Sequence, residues 1–361
     1  MLEKKLNIRS LSQEDLKNFF ISKGEKAFRG KQVWEWLWEK SARNFSEMTN
    51  LSKTVRLVLE EHFTFPIVTL DNIQISNDRT IKSAFRLFDN NIVEGVLIPT
   101  ASRMTACISS QVGCSLTCKF CATGKLARLR NLDAEEIYDQ VVLLRNQAQE
   151  KYQQPLTNIV YMGMGEPLLN YKNMLRSVER ITAPDGLNMS PSRITVSTAG
   201  IAKMIQKLGD DEVRFNLALS LHAANDEKRN RIMPINEENS LDALANAMNY
   251  FYEKTGTSVT FEFIVFKDFN DSVEDAKELA AYCKKVPAKV NIIEYNPIDG
   301  GEFEQTLPER LNRFTGILEE RGVIVNVRRS RGKDIDAACG QLANKNDAIT
   351  KEGEKLILKS K

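Results

Sequence analysis

Hydrophobic residues recur along this chain with two different periods, and the change from one to the other organises it. Up to about residue 65 the period is helical. Leu16, Phe19 and Phe20 follow a capping-box-like Ser12-x-x-Asp15, Val33, Trp34, Leu37 and Trp38 share one face, and so do Leu51, Val55 and Leu59. Trp34 and Trp38 in one stripe read as core rather than as a stacking surface. Residues 67–98 alternate with the period of strands, with Asp89-Asn90-Asn91 as a turn. From about residue 104, short apolar runs alternate with helical patterns. Strands are predicted at Thr105–Ser109, Asn158–Met162, Arg193–Ser197, Phe215–Leu221, Val259–Phe266 and Val290–Tyr295, with a last one, Val323–Val327, after a helix near 308–320. Asp133 and Glu136 open a helix carrying Ile137, Val141 and Leu144, and Ser240 opens another carrying Leu241, Leu244, Met248 and Phe251. Six strand–helix units predict an α/β fold, a parallel sheet or partial barrel, with its site at the carboxyl ends of the strands. The tail after Leu342 is polar and Lys-rich and is expected to be mobile.

With 361 residues, 42% hydrophobic and 27% charged, the composition is that of a soluble globular protein with room for one large domain and a small one. No apolar run approaches the roughly 20 residues of a membrane span, and the charged N-terminus has no signal-peptide core. The expected compartment is the cytoplasm, with no membrane partner. Six cysteines, three of them within eight residues, suit metal ligands or reactive thiols rather than a secreted disulfide framework.

Net charge is only +2, but it is unevenly spread. Between Gly95 and Leu132 there is no acid, while Arg103, Lys119, Lys125, Arg128 and Arg130 are basic; between Arg321 and Lys333 there is again none, with Arg321, Arg328, Arg329, Arg331 and Lys333 present. A positive field around cysteine sites suits a polyanion such as RNA; solvated faces are the plainer alternative.

Cys114, Cys118 and Cys121 stand at C-x₃-C-x₂-C spacing, with Phe120 before the last. A cubane [4Fe–4S] cluster closed by protein takes four ligands; three leave one iron open, as radical chemistry on S-adenosylmethionine (SAM) requires. The alternative is zinc with Cys107 as fourth ligand, but zinc sites usually pair two knuckles or add histidines, and neither His62 nor His222 is near in sequence. Gly163-Met164-Gly165-Glu166-Pro167 follows the second strand. Its glycines allow close backbone approach and Glu166 can accept from an ammonium, although the same residues could form an ordinary turn. Ser197, Ser220-Leu221-His222 and Asn296 end further strands, where they could bind a cofactor or simply cap turns. Cys339 lies in a small-residue loop beyond a basic segment, whose field is expected to lower the thiol pKa; the alternative is an inert buried cysteine. Cys107 on the first strand is either reactive or core, and Cys283 is read as structural. Glu94 shares a strand face with Ile92, Val96 and Ile98; among apolar neighbours its carboxylate would favour the protonated form and could shuttle a proton, or it could mark an exposed face.

Taken together, Cys107–Cys114, Cys118–Gly124, Gly163–Asn170, Ser220–His222, Glu294–Pro297 and Asp334–Leu342 resemble the radical SAM RNA adenine methyltransferases, in the family's order and over nearly the whole chain. Pro167 resembles the branch that methylates adenine C2 rather than C8. The resemblance implies a partial (β/α)6 radical SAM barrel with a small N-terminal helical accessory domain and connecting β-strands. It divides the chain into an RNA-binding domain (1–66), connecting strands with the base (67–99), the radical SAM core with its methyl-carrier loop (100–342) and a polar tail (343–361). It also implies that Cys114, Cys118 and Cys121 hold one [4Fe–4S] cluster, and that Gly165, Glu166, Ser197, Ser220, Leu221, His222 and Asn296 bind SAM, two molecules per turnover. Cys339 would be the methyl carrier and Glu94 the proton acceptor, with Cys107 resolving the protein–RNA adduct through a transient disulfide with Cys339. The implied substrates are 23S rRNA and tRNA, the partner a low-potential donor such as flavodoxin or ferredoxin, and the protein a monomer. Adenine C2 is electrophilic, so the methyl must become the reactive partner. In the implied chemistry, Cys339 takes a methyl from one SAM, and a 5′-deoxyadenosyl radical from the second removes hydrogen from it. The alternatives are C8 methylation, a zinc-stabilised RNA-binding protein without catalysis, and a radical enzyme acting on protein or a small molecule.

Overall fold

The computed structural model describes residues 5–344, and the tail expected to be mobile lies outside this range from residue 345. The predicted capping box forms: Ser12 Oγ accepts from the Asp15 N–H at 3.1 Å and Asp15 accepts from the Ser12 N–H at 2.9 Å, opening α1 (Gln13–Ser22). Helices α2 (Phe28–Trp38) and α3 (Lys53–His62) follow, and β1 (Leu6–Asn7) pairs in parallel with β2 (Phe63–Thr64) to tie the two ends of this region together. Trp34 and Trp38 are core, as their spacing predicted.

Sheet strands begin with an antiparallel meander, β3 (Thr69–Ile75), β4 (Ile81–Arg86) and β5 (Ile92–Pro99), which pairs antiparallel with β6 (Met104–Cys107). The connecting strands are therefore continuous with the main sheet. A short antiparallel pair, β7 (Gln111–Val112) and β8 (Arg130–Asn131), stands off it. Then α4 (Ala134–Tyr152), β9 (Asn158–Tyr161), α5 (Tyr171–Thr182), β10 (Ile194–Thr198), α6 (Ala202–Asp210), β11 (Asn216–Ser220), α7 (Asp226–Ile232), α8 (Leu241–Thr255), β12 (Val259–Val265), α9 (Val273–Cys283), β13 (Ala288–Glu294), α10 (Pro308–Glu320) and β14 (Val325–Arg328) alternate. Strands β6 and β9 to β14 pair in parallel and in sequence order, and the sheet stays open between its edges β14 and β3. This is the expected partial barrel. The first parallel strand stops short of its predicted end because Ser109 turns inward: its N–H donates to Gln140 at 2.9 Å and its hydroxyl to the Glu94 carbonyl at 2.6 Å. No helix among the described residues is long and apolar enough to cross a membrane.

The helical N-terminal region docks on α4 and α5. Trp38 packs edge-on against Tyr138 at 5.1 Å between centroids, and Trp34 Nε1 donates to Asp185 at 2.7 Å. Buried Arg9 donates to both Asp139 oxygens, at 2.5 and 3.0 Å, and Asp139 also accepts from the Val68 N–H at 3.0 Å. Removing one partner of such a pair strands a charge in the core. Arg9→Met is expected to cost about 3–5 kcal/mol of stability in urea unfolding, and an unchanged midpoint would show that this tie contributes nothing.

Candidate active site

The loop between β7 and β8 carries Cys114, Cys118 and Cys121 beyond the carboxyl end of β6. Its two limbs touch at Gly113, at φ +74°, where an added Cβ would lie 2.1 Å from the Ala127 carbonyl oxygen. The Cys121 N–H donates to the Cys118 carbonyl at 3.2 Å, and the Lys119 N–H donates to the Ile232 carbonyl at 3.0 Å, strapping the loop to α7. Cys114, Cys118 and Cys121 all line one cavity of about 150 Å³ that is open to solvent. Burial pushes the Cys114 thiol up to about 11, and burial together with the neighbouring Cys121 and Cys114 raises Cys118 further. Among the described residues no three His, Cys, Asp or Glu side chains converge on a point suited to a single metal ion. Thiols that share a cavity wall without converging fit a multinuclear cluster, each thiolate on a different iron, better than a tetrahedral zinc.

Gly163 to Glu166 leave β9 and pack on the chain after β6. The Met164 carbonyl accepts from the Ser110 and Gln111 N–H groups at 2.9 and 3.2 Å, and the Glu166 N–H donates to Gln111 Oε1 at 2.8 Å. Gly165, at φ +94°, leaves room for this contact: a Cβ there would lie 2.4 Å from that of Gln111. Buried Glu166 lines the cavity and accepts from the Leu168 and Ala199 N–H groups at 3.0 and 2.7 Å; burial raises its pKa, and these bonds oppose the rise. Ser197 and Ser220 face each other at 3.4 Å on adjacent strands. His222 is held at φ +55°, and its Nδ1 accepts from the Ile264 N–H at 3.1 Å. Burial and then Arg229 push its pKa down to about 3, so the ring is neutral with its proton on Nε2. Gly165, Glu166, Ser197, Ser220 and His222 all line the cysteine cavity. Leu221 does not; its side chain is core, and its backbone bonds to Glu262 and Arg229. Asn296 lies behind the Cys339 loop, donating to the Cys339 carbonyl at 3.3 Å and leaving its own buried Oδ1 without a partner. That orphan acceptor also fits a site built for a polar cofactor.

Cys339 stands where two chambers meet. It lines the cysteine cavity and a second cavity of about 130 Å³ that is also lined by Cys107, Val96, Ile98 and Arg328. Cys339 is exposed, yet the protein packed around it raises its thiol pKa and Arg328 opposes that only in part, so the basic segment does not give the lowered value expected. Arg328, Arg329 and Arg331 line the second cavity with Cys339, and each is also engaged by an acceptor of its own. Arg329 and Lys333 pair with Glu294, Arg331 donates to the Pro99 carbonyl at 2.8 Å, and Arg328 itself pairs with Glu262 at 3.0 Å. In the earlier stretch Arg130 pairs with Asp89 and Glu136, and Lys125 donates to two carbonyls. Cys107 is buried and its pKa is pushed up to about 12 by burial. All six cysteines are free thiols, including Cys107 and Cys339, and Cys283 lies at the end of α9 outside both chambers. Glu94 is buried but not among apolar groups alone. Lys82 Nζ lies 3.6 Å from its carboxylate, which also accepts from the Ala343 and Asn344 N–H groups at 2.9 and 3.2 Å.

Three residues of the site were missed by sequence reasoning. Lys82 and Glu262 sit in strand patterns that give no hint of an internal ion pair. Arg229 reads in Asp226-Glu227-Lys228-Arg229 as part of a solvated helix, yet it is fully buried and burial lowers its pKa only to about 10, so it stays charged. Only the apolar Ile232 and Met233 after it hinted at an inward face.

An open parallel sheet with three thiols in the loop after its first parallel strand, and a glycine–glutamate turn after the second, defines a radical SAM enzyme. Residues 108–280 match the radical SAM superfamily, and residues 6–65 match the ribosomal RNA large subunit methyltransferase N-terminal domain. The chain belongs to the dual-specificity RNA methyltransferase RlmN family. It is 62% identical over 342 residues to a probable dual-specificity RNA methyltransferase RlmN of Cytophaga hutchinsonii (95% of this chain, 94% of the relative). It is 56% identical over 344 residues to the Christiangramia forsetii protein of the same description (95% and 98%). The crystal structure of a radical SAM methyltransferase from Sphaerobacter thermophilus superposes with a TM-score of 0.88 at 38% identity, covering 93% of this chain and 99% of that one. Membership implies a [4Fe–4S] cluster and SAM, for which the cavity described above is suited.

The segment bearing Cys339 is pinned to the β3–β4 turn. Asp78 accepts from the Gly332 N–H at 2.9 Å, and Asp334 accepts from Ser76 Oγ at 2.5 Å. Burial would raise the Asp78 carboxyl, but its bonds from Thr80, Gly332 and Ser76 outweigh it and bring it to about 2, against an ordinary 3.8. A depressed carboxyl stabilises the folded form above its ordinary value and loses that contribution as pH falls through the folded one. The docking is therefore fully present at neutral pH and fades between about pH 4 and pH 2. Asp78→Asn is expected to weaken it at neutral pH, seen as faster amide hydrogen exchange over 332–340 with α4 unchanged.

Proposed function

We propose that the protein methylates C2 of an adenine in the peptidyl transferase centre of 23S rRNA, and of the tRNA adenine 3′ of the anticodon. The observation that supports this reading is that Cys339 lines both the three-cysteine cavity and the adjoining cavity that holds Cys107, with Cys121 on the wall the two cavities share. A carrier must meet its methyl source on one side and its acceptor on the other. Cys114, Cys118 and Cys121 hold the cluster. Gly165, Glu166, Ser197, Ser220, His222 and Asn296 orient SAM, Leu221 contributing through its backbone. Bound there, the cluster and SAM would supply the radical chemistry, and the chamber walls would limit the access of water to it. Cys339 carries the methyl, Glu94 receives the C2 proton, and Cys107 releases the product through a transient disulfide with Cys339. Glu94 is covered by residues 343–344, so receiving a proton requires that segment to lift. Residues 1–66 grip RNA, 67–99 carry the base, 100–342 form the catalytic core, and the target nucleotide is flipped into the second chamber. The enzyme works in the cytoplasm as a monomer, takes electrons from flavodoxin or ferredoxin, and uses two SAM molecules per turnover.

Peptide mass spectrometry across Cys339, on protein purified from cells, is expected to find one added methyl group. An unmodified thiol in protein that holds a cluster and has been given SAM would overturn the carrier step. Cys339→Ala should keep the cluster absorbance and lose all nucleoside product. For the wild type, the product expected by nucleoside mass spectrometry is 2-methyladenosine, and 8-methyladenosine would assign the other carbon.

A further inference from the structure

Arg229 is buried without a carboxylate partner. Its Nε donates to the Leu221 carbonyl at 3.0 Å, Nη1 to Asn236 Oδ1 at 2.5 Å, and Nη2 to the Ala199 and Ser220 carbonyls at 2.6 and 3.1 Å. Among the described residues no acid forms an ion pair with it. Asp226 is separated from it by Asn236, whose amide donates to Asp226 Oδ1 at 2.7 Å. Burying a lone guanidinium is costly unless something in the interior uses its charge. The carbonyls it holds belong to the ends of β10 and β11, the two strands that bring Ser197 and Ser220 to the cavity. Its charge also falls on the cluster side. Ala199 and Ser220, whose carbonyls it holds, line the same cavity as Cys118, and the Lys119 N–H is bonded to the Ile232 carbonyl of the helix that carries Arg229. Its charge favours the Cys118 thiolate.

We propose that Arg229 is a positioning residue whose fixed positive charge raises the reduction potential of the cluster held by Cys114, Cys118 and Cys121, while its hydrogen bonds set the spacing of the β10 and β11 ends. This rests on the cluster reading given above. The step it assists is the transfer of one electron from a low-potential protein donor to the cluster. No bond is made or broken in that step, and the added negative charge is what a neighbouring cation stabilises.

The test is an EPR-monitored redox titration of the reconstituted holoenzyme with dithionite, on wild type, Arg229→Gln, Arg229→Lys and the double variant Asp226→Asn with Asn236→Asp. Arg229→Gln removes the charge. Arg229→Lys keeps the charge with fewer donors. The double variant exchanges the two side chains, so an amide–carboxylate bond between them is kept and the carboxylate now accepts from Arg229 Nη1. The proposal expects a more negative potential in Arg229→Gln and in the double variant, and the wild-type potential in Arg229→Lys. Wild-type potential in either charge-cancelling variant, at full iron and sulfide, overturns it. If Arg229→Gln takes up no cluster, the double variant decides, since it leaves every Arg229 donor in place. A wild-type protein without iron and sulfide would instead overturn the cluster reading itself.

Discussion

A parallel sheet satisfies its own backbone only as far as its strands pair, and this site is built where that pairing ends. Each loop leaving a strand at the mouth exposes N–H and C=O groups that burial would orphan. Buried polar side chains take them up in succession around the rim. Gln140 bonds both the N–H and the carbonyl of Ser109, whose hydroxyl spans β5 and the loop after β9. Gln111 takes the Glu166 N–H, and Glu166 takes those of Leu168 and Ala199. Arg229 ties the ends of β10 and β11, His222 takes the Ile264 N–H, and Asn270 holds the His222 and Ile264 carbonyls. Several of these side chains also line the cavity. The groups that complete the backbone and those that face the cofactor chamber are thus partly the same.

The Cys339 segment is fastened to this rim from outside the sheet's own pattern. The Ala122 N–H donates to the Gly340 carbonyl at 2.7 Å, and Thr123 Oγ1 to the Leu342 carbonyl at 2.6 Å, joining it to the cysteine loop. Gln341 donates to the Pro297 carbonyl, and Asp78 holds Gly332. Ala337 and Leu342 of the same segment are buried in the core, so these polar ties set the position of a segment that apolar packing also holds.

What could be read from the sequence was what depends on neighbours in sequence. Caps at Ser12, Asp133 and Ser240, the strand–helix alternation and the cysteine spacing are local signals, and they appear where expected. Charge did not follow local rules. The acid-free stretch 321–333 does bring Arg328, Arg329 and Arg331 to the Cys339 chamber, but Arg328, Arg329 and Lys333 meet Glu262 and Glu294, which lie on strands outside that stretch. Glu94 looked apolar in its setting because Lys82 approaches from the adjacent strand and residues 343–344 from the far end of the chain. Arg229 was hidden because a helix of charged residues carries no mark of which one turns inward.

Buried charge is weak evidence of stability, since an apolar replacement of a whole pair is often neutral or better. The pairs here therefore call for separate explanations. Arg9 and Asp139 lie where the helical region meets α4, remote from both chambers, and their bonds to Val68 fix how that region sits. Glu262 and Arg328 stand in chamber walls, where an apolar pair of equal volume would fill space but leave Cys339 and Cys107 with no cation beside them. Arg229 has no acid to cancel it, so its field is the least screened of the three. Arg9 and Arg328 each face a carboxylate, whereas Arg229 is held by three carbonyls and one amide oxygen, so its charge is spread over the strand ends at the cavity instead of being closed in a pair.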